Sequence, residues 1–299
     1  MPPDRAPTPP AAPPSRRGAV TGLAAAALGA GCSPLAAFNT LAPRDAARQV
    51  GQGLSYGPDP QQALDLYAPP GGAKGAPVVV FVHGGAWDSG RRQDYGFAGR
   101  ALAAQGFLAA VIGYRLVPQV RYPAFVEDAA AAVAWLAQHA ATYGGDPQRI
   151  ALTGHSAGAY IAMMTVLDTD FLRAQGLQAG VIKAAAGLSG PYDFLPLAVA
   201  STQAAFGAWP NLPQTQPINH VHPGAPPIFL AHGTKDDLVW PRNSVRLAAA
   251  LTAAGDEAQL KLYPGLTHAD VVLALSRPFR GKAPVLADLA AFLHAHLGA

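Results

Sequence analysis

Cysteine is all but missing: of 299 residues only Cys32 carries a thiol. No intrachain disulfide can form, and the fold has to be held by its core. Charge is scarce as well. Charged side chains make up 13% of the chain, and 21 basic against 18 acidic residues leave a formal +3 with no clustered basic run. Nothing there would track a phosphate backbone, so nucleic acid is not an expected partner. His220 and His222 form a pair too small to argue for zinc, and no other cluster has metal-ligand spacing. Phosphate-cradling glycine loops are missing too, so neither metal nor cofactor is expected. The apolar runs stop short of the about 20 residues that a bilayer span needs, and there is no internal repeat.

What the chain does have is apolar residues, half of the total, enough at this length for an enzyme-sized core. Its first forty residues differ in kind. A Pro-rich start leads to Ser15-Arg16-Arg17, an apolar stretch from Ala19 to Leu28, and Gly29-Ala30-Gly31-Cys32, the layout of an export signal. The paired arginines resemble a twin-arginine signal, although Gly18-Ala19-Val20 lacks the bulky residue usual after them. Leu28 to Cys32 resembles a bacterial lipoprotein cleavage site with its leucine one place too far upstream, which makes Cys32 a lipidation candidate and a membrane tether. The expectation is an exported protein, periplasmic or anchored as a lipoprotein, with residues 1–40 as signal and disordered leader and 41–299 as one catalytic domain.

From Leu64 onward, apolar runs of strand length alternate with segments of helical period. This predicts an α/β fold with a mostly parallel central sheet and helices on both faces. The expected strands are Val78 to His83, Phe107 to Tyr114, Arg149 to His155, Val181 to Ser189, Pro227 to His232 and Gln259 to Tyr263. Val126, Ala130, Val133 and Ala137 share one helical face, as do Leu286, Leu289, Leu293 and Leu297, and Gly106 and Gly144 sit where helices should end. Residues 191–224, with several prolines and Phe194, Phe206 and Trp209, break the alternation and predict a cap-like insertion or lid.

Gly154-His155-Ser156-Ala157-Gly158 follows one expected strand and opens a helical segment. A serine at the apex of so tight a turn needs small neighbours two residues away on each side, which Gly154 and Gly158 supply. Ser156 is the candidate nucleophile. Its base should lie late in the chain, on the loop after the last strand, where His268 follows Pro264-Gly265-Leu266-Thr267. The acid should follow the penultimate strand, where Asp236 and Asp237 compete. Asp236 holds the better place, with Asp237 left to face solvent or cap the next helix. Developing negative charge on a carbonyl oxygen calls for amide donors, and the candidates are Gly85, Ala86 and Ala157. His83 reads as a brace for that loop. Trp87 and Tyr192, with Tyr114, Phe194 and Trp209, are either pocket walls or core packing.

His83-Gly84-Gly85-Ala86-Trp87, Tyr143-Gly144-Gly145-Asp146-Pro147 with Arg149-Ile150, and Gly154-His155-Ser156-Ala157-Gly158 together resemble the carboxylesterase branch of the α/β-hydrolases. That branch includes hormone-sensitive-lipase-like esterases, kynurenine-formamidase-like enzymes and prenylcysteine methylesterases. Ala86 stands where the lipase relatives usually have a third glycine, which leans toward the other two groups. The resemblance covers roughly residues 50–299. It implies a serine hydrolase of carboxylic esters acting through an acyl-enzyme, with an arylformamidase or other amide hydrolase as the alternative and a noncatalytic binding module as the more distant one. With no extended apolar lid evident, short-chain or aromatic esters are the expected substrates.

Overall fold

A computed structural model describes residues 34–298; Cys32 and most of the expected leader lie outside them. The described chain opens with helix α1 (Pro34–Leu41), whose Phe38 ring meets Phe97 and Phe279 at centroid distances of 5.5 and 5.6 Å. Most of this helix falls inside the segment 1–40 that composition assigned to the leader. One docked aromatic ring leaves too little periodicity to be read beforehand.

Among the described residues, eight strands form one sheet: β1 (Arg48–Ser55), β2 (Ala63–Ala68), β3 (Ala76–Val82), β4 (Leu108–Ile112), β5 (Gly145–His155), β6 (Ile182–Leu188), β7 (Ile228–Gly233) and β8 (Ala258–Tyr263). Their order is β1-β2-β4-β3-β5-β6-β7-β8. Strand β2 runs antiparallel to β1 and β4, and all other pairings are parallel. The six expected strands are present, shifted by one or two residues at an end, except that β5 begins at Gly145 rather than Arg149. Strands β1 and β2 were not anticipated. β1 carries two glycines and two irregular steps in its pairing, and β2 has Asp65 in its middle, so neither shows a clean apolar period.

The remaining helices are α2 (Gly96–Ala103), α3 (Ala124–His139), α4 (Ala157–Leu167), α5 (Asp170–Ala174), α6 (Ala200–Phe206), α7 (Arg242–Ala253), α8 (His268–Leu273) and α9 (Val285–Leu297). Because side chains alternate along a strand, Val78, Val80 and Val82 of β3 pack toward α3, α4 and α7, while Val79 and Phe81 pack toward α2, α8 and α9. Helix α4, Ala-Gly-Ala-Tyr-Ile-Ala-Met-Met-Thr-Val-Leu, is apolar on every side and buried along its whole length, as a helix without a polar face must be. Residues 191–224 contain α6 and short 3-10 turns and place Phe194 and Phe206 against α4 and the loop after β3.

Two charged side chains tie elements of the fold together. Asp128 on α3 is fully buried and takes the Arg115 guanidinium at 2.6 to 3.0 Å, the Arg115 amide at 2.8 Å and Gln62 Nε2 at 2.6 Å. That one carboxylate ties the approach to β2, the exit from β4 and α3 together. Arg149 does the same at the other end of the sheet. It pairs with Asp146 at 2.7 Å and donates to Gly75 O and to the carbonyls of Leu297 and Gly298 at 3.2 and 2.9 Å, fastening β5 to the end of α9.

Candidate functional site

Strand β5 is buried from Ile150 to His155, and α4 starts one residue after it ends. The single residue between them, Ser156, has φ 55° and ψ −122°, a backbone region that costs a non-glycine residue of order 1–3 kcal/mol. The surroundings impose it. Ser156 N donates to Leu188 O at 2.9 Å, and Tyr160 N donates to Ser156 O at 3.0 Å. A Cβ on Gly154 would lie 2.3 Å from Gly158 O, and one on Gly158 would lie 2.2 Å from Val82 O, so strand and helix approach as closely as they do only because both positions are glycine. Ser156, a partly exposed residue, stands at the carboxyl end of the parallel strands.

The loop after β7 carries Asp236, 4% exposed, and the segment after β8 carries His268. The two meet: His268 Nδ1 lies 2.8 Å from Asp236 Oδ2. The other oxygen, Oδ1, accepts from the amides of Leu238 and Val239 at 3.2 and 2.9 Å. Burial alone would raise the Asp236 pKa, but hydrogen bonds from His232 and His268, with the Val239 amide, outweigh it and hold the carboxyl well below the ordinary range. Asp237, the rival, is exposed, and its carbonyl accepts from Trp240 Nε1. His268 was expected on a loop. It is instead the first residue of α8, a helix capped by Thr267 and Asp270 in a reciprocal capping box. The pattern Thr267-His268-Ala269-Asp270 is the sequence signal that announces it.

His268 also lies against the residue that precedes Ser156. His155 Nε2 is 3.2 Å from His268 O, and the two rings are 4.8 Å apart. Burial first, and the neighbouring His268 second, push the His155 pKa down to about 3. The ring is therefore neutral at ordinary pH and donates its Nε2 proton to that carbonyl. Strands β5, β7 and β8 thus bring Ser156, Asp236 and His268 to one end of the sheet.

After β3 the chain turns through Gly85 (φ 132°), Ala86 (φ 51°) and Trp87 (φ 65°). Two consecutive non-glycine residues at positive φ are strained, and a Cβ on Gly85 would fall 2.1 Å from Ser89 O. The loop is pinned from below. Asp88 N and Ser89 N donate to Gly85 O, and Val117 N donates to Trp87 O at 2.9 Å. Among the described residues, the amides of Gly85, Ala86 and Ala157 have no protein acceptor. His83 braces the loop as read from sequence, with Nδ1 donating to Gly84 O at 2.8 Å and its ring stacked on Tyr114 at 4.3 Å. Burial pushes its pKa down to about 4.

Trp87 is 3% exposed and packs among Phe125, Tyr160, Phe194 and Phe206, with its Nε1 buried and without a partner. It borders the loop and belongs to the core at the same time. Tyr192 is fully buried, with its hydroxyl wedged where side chains on Gly187 and Gly190 would otherwise be. That placement is the core packing that the sequence left open beside a pocket role. His220 and His222 contact separate carbonyls, Gln214 O and Pro223 O.

The BD-FAE family model matches residues 64–251, a span that holds Ser156 and Asp236 and stops short of His268. The chain belongs to the BD-FAE family. It is 35% identical over 269 residues to the probable isoprenylcysteine alpha-carbonyl methylesterase of Oryza sativa subsp. japonica, covering 83% of this chain and 64% of that protein. To esterase LipQ of Mycobacterium tuberculosis it is 35% identical over 224 residues, covering 68% of this chain and 52% of that one. The chain thus spans less than two thirds of the length of these relatives. The apo form of Thermogutta terrifontis esterase 2 superposes with TM-score 0.65 at 26% identity, covering 85% of this chain and 93% of that structure. In fold, this BD-FAE member is an α/β-hydrolase of the carboxylesterase branch.

Proposed function

We propose that the protein is a serine hydrolase of carboxylic esters in which Ser156 is the nucleophile, His268 the general base and acid, and Asp236 the residue that orients the histidine. The observation that carries this is the 2.8 Å contact between His268 Nδ1 and Asp236 Oδ2, made by a histidine lying against the neighbour of Ser156. With its Nδ1 proton held by the carboxylate, His268 presents a free Nε2 lone pair. Ser156 Oγ attacks the acyl carbon while its proton passes to Nε2. The ester C–O bond then breaks, and the same proton leaves with the alcohol. Water gives a proton to Nε2, attacks the acyl-serine and releases the acid, and the proton returns to Ser156. The amides of Gly85, Ala86 and Ala157 stabilise the oxyanion, a contribution of about 2.7–4 kcal/mol per donor.

The substrates proposed are short-chain or aromatic esters, a reading supported by the aromatic rings of Trp87, Tyr160, Phe194 and Phe206 packed together beside the oxyanion loop. Relatives named as a methylesterase and as esterases support an ester over an amide. The test is hydrolysis of p-nitrophenyl esters of increasing acyl length, beside an aryl formamide, by the full chain and its Ser156→Ala variant. Turnover that falls with acyl length and vanishes in the variant is expected. Turnover confined to the formamide would make the protein an amidase, and none on either class would favour a binding module.

The leader supports a second element of the proposal, export with Cys32 lipidated as a membrane tether. Labelled palmitate should enter the full chain in a bacterial host and not its Cys32→Ala variant. An unlabelled parent would remove the tether.

A further inference from the structure

Asp236 is approached by a second histidine that the mechanism above does not use. His232, near the end of β7, is completely buried. Its Nε2 lies 2.7 Å from Val239 O and 3.2 Å from Asp236 Oδ2, and its Nδ1 lies 2.7 Å from Ser244 Oγ, which is itself fully buried on α7. A carbonyl and a carboxylate can only accept, so Nε2 must carry a proton; a lone pair there would face two oxygens. Ser244 Oγ, 2.7 Å from Nδ1, holds the other side of the ring.

We infer that His232 is a positioning residue that acts through Asp236, on the assignment of Ser156, His268 and Asp236 made above. Two backbone amides hold Oδ1. Without His232, Oδ2 would be held only by His268, the ring it has to orient. The Nε2 proton of His232, shared between Val239 O at 2.7 Å and Oδ2 at 3.2 Å, gives Oδ2 a second partner, so the carboxylate is set before substrate arrives and His268 docks onto a fixed acceptor. Sequence order hid this role, because His232 precedes the acid and fits no place in a nucleophile-acid-base series. The available signal was a histidine in a wholly apolar strand, four residues before the acid.

The test uses kcat and KM for a p-nitrophenyl ester, normalised to active sites titrated with an organophosphonate, on the full chain. A glutamine amide reaches about as far as the imidazole Nε2, and an asparagine amide does not. His232→Asn should lose about 10- to 100-fold in kcat with KM changed less than about twofold, and His232→Gln should recover most of that loss. Ser244→Ala, which removes the hydrogen bond that holds the other side of the ring, should show a smaller fall in kcat with KM again unchanged. Equal losses in the Asn and Gln variants, or a Ser244→Ala variant with parental kcat, would overturn the positioning role, and the Gln and Ser244→Ala results decide the matter if the Asn variant does not fold. Ser156→Ala separates the two levels. Inactive Ser156→Ala beside a fully active His232→Asn removes only the positioning role, whereas turnover by Ser156→Ala would overturn the triad and this inference with it.

Discussion

Asp236 and Asp237 are adjacent in sequence and opposite in surroundings. The first is buried beneath two histidines and two backbone amides, and the second is exposed. Replacing Asp236 with Asn keeps the volume but removes the charge that fixes the His268 tautomer, a loss of about 10⁴ in kcat in a Ser-His-Asp system. Asp237→Asn should stay close to the parent. Steady-state kinetics of the two variants decides, and the reverse order would move the acid to Asp237. Gly85 allows a sharper statement. Its φ of 132° and the 2.1 Å gap to Ser89 O leave no room for a methyl group, so Gly85→Ala should abolish turnover while the remote core keeps its fold by circular dichroism. Ser156 was legible because the constraint on it is local: a strand, a tight turn between two glycines and a helix are all written within a few residues. Tyr192 was not, because whether an aromatic lines a pocket or fills the core is decided by what faces it from the far end of the chain.

Among the elements, α8 does the most with the least. Six residues long, it sets the backbone of His268 through its cap: Thr267 Oγ1 donates to Asp270 Oδ2 at 2.7 Å, Thr267 N donates to the same oxygen at 3.0 Å, and Lys282 pairs with the other oxygen of Asp270. Thr267→Ala should cost about 1 kcal/mol in urea unfolding and lower kcat as well, since the first turn it frees is the one that carries His268. A stability loss without a kinetic one would mean that Asp236 alone positions the ring. The Asp128 cluster joins three elements instead of capping one. Asp128→Ala leaves the partly exposed Arg115 and the Gln62 amide without their acceptor and should cost about 1–3 kcal/mol, measured by the same unfolding curve. The parallel strands were legible as elements because, buried on both faces, they read as unbroken apolar runs. The antiparallel pair β1 and β2 was harder to read: edge strand β1 is mostly exposed, and β2 is a buried strand whose apolar run is interrupted by Asp65, which accepts from Gly53 N and Arg92.

At the scale of the whole molecule, the buried histidines link stability to pH. His83 and His155 have folded pKa values of about 4 and about 3 against an ordinary 6.5, with burial the leading cause for both. In the fold they stay neutral where the unfolded chain already binds protons. Between about pH 6.5 and 4 the unfolded state therefore holds more protons, and stability falls as pH falls. At about 1.4 kcal/mol per pKa unit, His83 alone is worth on the order of 3 kcal/mol by pH 4. The depressed carboxylates act lower. Asp236, Asp146 and Asp270 contribute stability above the ordinary carboxylate pKa near 3.9, and that contribution is lost as pH drops below it. The melting temperature should hold steady from pH 8.5 to 7, decline from 6.5 to 4, and drop more steeply below 4. His83→Gln carries no titrating ring, so it should start lower at pH 7.5 but decline less between 6.5 and 4, and a decline parallel to the parent's would show that the protons taken up on unfolding in that window go to other groups.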